Sequence, residues 1–242
     1  MNAHHPLVES VLLPLALGLG ATGLSRFIFG PERAALAAGL GISASVIGAL
    51  IWMAGWPTHP AGTLEWLTWM LAGACVAGLA VGRFVGRVVR LDAGVPAAGQ
   101  AAAVLIAASL GLAGVALAAG SLALFQRALL LASATAGVAL WQWPVRRAEI
   151  GPAATLVGAG CWVAIALALI RLTDAAPVSI GLLCVGILAG TVTTRWRAGP
   201  IRGPLIAATV TLLFAIAALG WQQWAPDDSG SPGRPADDPY LD

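Results

Sequence analysis

The sequence contains no lysine; all 13 of its basic residues are arginine. That absence excludes chemistry requiring an amine side chain, such as Schiff-base formation or a Walker-type phosphate loop. Charge of either sign is scarce, at 10% of residues, against about 25% in an ordinary soluble domain. With 59% of its 242 residues hydrophobic, the chain cannot clothe a water-soluble surface. No His or Asp falls inside a long apolar run. Bis-histidine haem ligation, an HExxH zinc site, a paired-aspartate protease and a carboxylate relay at mid-membrane depth therefore lack their residues. Ser43, Ser45, Ser109 and Ser133 have no histidine base at their depth, so any enzyme activity is confined to a membrane face. The sequence calls for no cofactor.

Cys75, Cys161 and Cys184 lie deep in apolar runs without CxxC spacing, implying no disulfide framework. Apolar surroundings also disfavour the thiolate that catalysis or metal ligation needs. His4, His5 and His59 are too scattered to specify a metal site.

What the sequence does have is long hydrophobic runs. Charges and prolines divide it into eight, at about Leu7–Ile28, Ala34–Trp56, Leu64–Val81, Pro96–Ala118, Leu122–Trp143, Pro152–Ile170, Ala176–Thr193 and Pro204–Trp221. Gly120 and Ser121 alone mark the turn between the fourth and fifth. The expected fold is an all-α, polytopic transmembrane helix bundle over residues 1–224, followed by a disordered acidic tail over 225–242. The first run lacks the positive n-region of a cleaved signal peptide and is taken as a retained helix.

Arginine orients this bundle. The odd-numbered connections hold ten: Arg26, Arg33, Arg83, Arg87, Arg90, Arg146, Arg147, Arg195, Arg197 and Arg202. The opposite side has Arg127, Arg171 and Arg234. Because cytoplasmic loops are enriched in basic residues, this alternation places both termini on the non-cytoplasmic side of a plasma membrane, in the manner of a bacterial inner-membrane protein. Trp56, Trp66, Trp69, Trp221 and Trp224 then fall near outer ends, and Trp141, Trp143 and Trp196 near inner ones, as interfacial belts require. Without the tail the chain carries a net charge of +6, which suits an anionic lipid surface and does not argue for nucleic acid.

Polar and small residues inside this frame supply the candidate sites. Pro14, followed by Gly18, Gly20 and Gly23, predicts a kinked or unwound first helix, a feature on which transporters build substrate sites. Glu9, Glu65 and Arg127 share the outer depth, and an arginine about five residues inside a span must snorkel or find a carboxylate. These four residues are the candidate substrate pathway. Arg26 and Arg33 flank a Gly-Pro turn, and Arg83, Arg87 and Arg90 follow helical spacing, so both groups are candidate contacts for lipid headgroups or a partner. Ala74, Gly78, Gly82 and Gly86, with Gly186 and Gly190, form small-residue faces for close helix packing within the chain, in a homo-oligomer or on a membrane-protein partner. Cys75–Ala80 matches Cys184–Ala189 at four of six positions, a likeness that chance explains more readily than duplication in so biased a composition.

The function these features favour is a small-solute carrier or permease component. The alternative is a non-catalytic structural or assembly subunit of a membrane complex. The orientation is checked by reporter fusions. Alkaline phosphatase joined after Trp224 is expected to be active and the same enzyme joined after Arg147 inactive; the opposite pattern refutes the termini-out topology.

Overall fold

A computed structural model describes residues 8–30, 33–55, 62–88, 98–142, 150–193 and 202–224. The expected acidic tail, Arg90, the three histidines, Trp56, Trp143 and Trp196 lie outside the described residues. The described chain is all-helical: a π-helical segment Val8–Leu12, α1 Leu13–Phe29, α2 Ala34–Ala54, α3 Thr63–Val88, α4 Ala98–Ala118, α5 Leu122–Ala139 with a 3-10 turn Leu140–Gln142, α6 Pro152–Leu172, α7 Pro177–Val192 and α8 Arg202–Trp224. Seven of these helices are long and apolar enough to cross a membrane. The exception among the eight runs is α7. Its 16 residues fall short of the roughly 20 that a span usually needs, and at its C-terminal end the Thr191 and Thr193 hydroxyls fold back onto the Leu188 and Gly190 carbonyls.

Local chemistry explains the boundaries. Pro177 and Pro152 sit in the first turns of α7 and α6, where a missing N–H costs nothing. Between α4 and α5, Gly120 takes a positive φ of 74°. The N–H groups of Gly120 and Ser121 return to the Leu117 and Ala116 carbonyls, a Schellman closure. Ser121 then caps α5 by accepting from the Leu124 N–H at 3.4 Å. The α7 N-terminus is capped from another helix. The Gln222 side-chain oxygen of α8 accepts from the Ala176 N–H at 2.8 Å and the Ser179 hydroxyl at 3.2 Å, and its amide donates to the Asp174 carbonyl.

Packing is organised by backbones that touch. α3 and α6 run antiparallel, with Gly78 against the backbone of Val157 and Gly82 against that of Ala153. α3 extends past the expected Val81 to Val88, and Gly82 just beyond that expected end still touches the start of α6. α7 lies on α8, where Gly186 meets Phe214 and Gly190 meets Thr211. α1 and α5 run side by side, Gly18 against the Ala134 carbonyl and Gly137 against the Leu15 carbonyl. In lipid there is no hydrophobic drive between helices, so these close approaches hold the bundle through dispersion and hydrogen bonding. Trp162, 4% exposed, is the one large aromatic in the core among the described residues; its indole N–H donates to the Ala108 carbonyl at 3.1 Å.

The halves do not repeat one another. Cys75 is buried against α6, whereas Cys184 is exposed on α7, and the α3–α6 contact has no comparable counterpart between α7 and α2.

Two glycines of α3 provide a paired test. A methyl at Gly82 meets Ala153 backbone, whereas one at Gly73 meets nothing within 4 Å. Gly82→Ala is expected to lower stability by about 1–3 kcal/mol, and Gly73→Ala to be neutral or to raise it by up to about 1 kcal/mol. Denaturant unfolding in detergent micelles measures both.

Candidate functional site

α1 is unbroken through Pro14 and the three glycines, and the irregular backbone lies upstream of the proline. A proline ring removes the N–H that would close the previous turn and crowds the carbonyl four residues earlier. The chain responds with the wider π-helical turn over Val8–Leu12. Pro14 is buried, and its carbonyl accepts a hydrogen bond from the Ser45 hydroxyl of α2. That carbonyl is therefore held by the protein itself. Of the three glycines that follow, Gly18 and Gly23 serve packing: Gly18 touches Ala134, and Gly23 lies under the Trp141 ring, whose N–H donates to the Leu19 carbonyl at 2.8 Å. Gly20 has open space around it.

The pairs Gly18 with Ala134, Leu19 with Gly137 and Gly23 with Trp141 define a parallel register between α1 and α5. Continued outward, that register sets the backbone of Glu9 level with Arg127, and the π-helical segment does pack on α5. Arg127 is half-buried. One guanidinium nitrogen, Nη1, donates to the Ala123 carbonyl at 3.2 Å, while Nε is buried without a partner. Glu65 lies elsewhere. Its carboxylate reaches back to accept from the Gly62 N–H at 3.3 Å at the start of α3, as in a capping box, and α3 packs on α6 and α2 rather than α5.

Below Arg127 the α1, α2 and α5 interface contains further polar groups. Thr22 is fully buried against Gly41 of α2, its hydroxyl unpartnered. One turn further in, Nη1 of Arg26 is buried without a partner, as is the side-chain nitrogen of Gln142. Gln142 lies beside Gly99, next to Gln100, which is 2% exposed and has an unpartnered oxygen. The arrangement is an arginine at each end of the α1–α5 pair with a neutral hydroxyl between. Arg33 and Arg83 are exposed; Arg87 belongs to the last turn of α3. Among the described residues no cluster of three or more His, Cys, Asp or Glu side chains is placed to hold a metal.

Sequence reasoning missed two features of this interior. Thr22 and Gln100 carry no motif, and only the helix register shows that they are buried. The second is a thiol pair: Cys75 of α3 and Cys161 of α6 face each other at 3.6 Å between sulfurs, and both are fully buried. The antiparallel register of the small-residue stripe, once known, places Cys75 opposite Gly160 and Cys161.

Ser45→Ala removes the bond to the Pro14 carbonyl. The expected cost is about 0.5–1.5 kcal/mol, measured by unfolding in detergent. Comparison with protein-family models, with curated proteins and with solved structures finds no match.

Proposed function

We propose that the chain is a small-solute carrier or permease component of a plasma membrane of bacterial inner-membrane type. In this reading it crosses the bilayer eight times with both termini on the non-cytoplasmic side, α7 making a short crossing. The observation that carries the reading is Thr22, a fully buried hydroxyl without a partner, set on the α1–α5 pair between Arg127 and Arg26. Buried polar groups are normally satisfied, and within a membrane they are retained where something passes or binds. The scaffold alternative draws less support. The small faces that would hold a partner, at Gly78, Gly82, Gly186 and Gly190, are occupied by helices of the same chain.

The test is flux into vesicles reconstituted with the purified protein, using acetate, phosphate, chloride and neutral amino acids as probes. At least one solute is expected to enter faster than into empty vesicles. Arg127→Ala is expected to cut that flux about tenfold, the loss of one charge-assisted contact. Thr22→Val is expected to reduce flux while leaving stability unchanged, since no hydrogen bond is lost. Vesicles no more permeable than empty ones to every probe, or a stoichiometric partner retained in mild detergent with flux unaffected by both substitutions, overturn the reading.

A further inference from the structure

Cys75 and Cys161 are brought together from helices separated by most of the chain's centre, with sulfurs 3.6 Å apart and neither exposed. Sγ of Cys161 also lies 3.9 Å from the Leu71 carbonyl. Ser43 of α2 stands alongside Cys75 with its hydroxyl buried. The cluster thus has two thiols and one hydroxyl, contributed by three helices. Next to it the α3–α6 seam is closed by Ala74 and Gly160, both small and only partly covered, and Gly73 opens directly onto the outer face of α3. The wall between the thiols and the lipid is therefore thin.

Two chemistries suit a facing thiol pair, and the surroundings choose between them. Binding a soft monovalent metal ion releases two protons and leaves a net negative dithiolate, which is costly where no cation is nearby. Oxidation by a neutral two-electron acceptor leaves no charge behind. We propose that Cys75 and Cys161 form a reversible dithiol–disulfide couple whose oxidant is a lipid-soluble quinone. Both S–H bonds break and one S–S bond forms. The two electrons and two protons pass to the quinone, which becomes the hydroquinone, and the Ser43 hydroxyl is placed to relay a proton from Cys75. Only atoms already within van der Waals reach must rearrange, and the product ties α3 to α6. Cys184, exposed on α7, has no such neighbour and serves as an internal control.

The experiment uses the full chain in lipid vesicles with a fully ring-substituted benzoquinone carrying a short alkyl tail, which cannot add to thiols. After incubation the protein is denatured, alkylated and weighed intact and as peptides. The expected result is loss of two hydrogens, with one hydroquinone formed per protein, Cys75 and Cys161 protected from alkylation, and Cys184 still reactive. Dithiothreitol restores both thiols. Cys184→Ser is expected to react unchanged, whereas Cys75→Ser and Cys161→Ser, checked for native unfolding behaviour, form no hydroquinone. Three alkylatable cysteines after incubation of the unaltered chain, or a disulfide involving Cys184, overturn the proposal. The readout is thiol content, so it stands apart from the flux assay.

Discussion

The structure depends on how closely backbones can approach one another in lipid. Water expels apolar side chains from its midst; lipid does not, so the helices of this chain gain stability only where they touch intimately. Glycine makes that possible at several of the crossings. Gly78 and Gly82 do so for α3 on α6, Gly18 and Gly137 for α1 on α5, and Gly186 and Gly190 for α7 on α8. Larger side chains are displaced to the rim, where Phe27, Trp52, Phe84 and Trp224 are exposed. The alanine-rich, weakly amphipathic sequence that looks featureless is what this mode of packing requires.

The same constraint governs the polar groups. Several threonine hydroxyls in the bundle turn back on their own helix, as Thr135 does to the Leu131 carbonyl and Thr211 to that of Ala207. A few bridge helices, including Ser45 to Pro14 and Thr211 to Gly186. Other polar groups stay unpartnered, those of Thr22, Arg26 and Arg127 among them, and each retains an unmet demand in a medium that penalises it. The common location of these three along α1 and α5 gives the transport reading its spatial content.

Much of the fold was legible in the sequence because its markers act locally. Charges and prolines delimit helices wherever they fall, and Gly120 with Ser121 was sufficient for the α4–α5 reversal. The extension of α3 past Val81 was not legible, and the contact of Gly82 there is with Ala153 on another helix. Nor was the cap that Gln222 supplies to α7 across a long separation in sequence. Among candidate site residues, depth in the membrane could be estimated but neighbours could not. Glu65 and Arg127 share a depth yet sit on helices that pack elsewhere, whereas Cys75 and Cys161, dismissed for their spacing, are in contact. Spacing along a chain reports partners within a helix; it says little about partners across a bundle.

The α3–α6 pairing also shapes how the chain must be made. Neighbours such as α1 with α2 or α7 with α8 can associate as soon as the second leaves the ribosome. α3 cannot: its glycine face has to wait while α4, α5 and α6 are synthesised, which at about 5–20 residues per second takes several seconds. During that interval its small-residue surface, with Cys75 on it, faces lipid or the insertion machinery. This contact, like that of α4 with α8, is thus set only after intervening helices have been made, and the sulfur pair comes together only when α6 arrives.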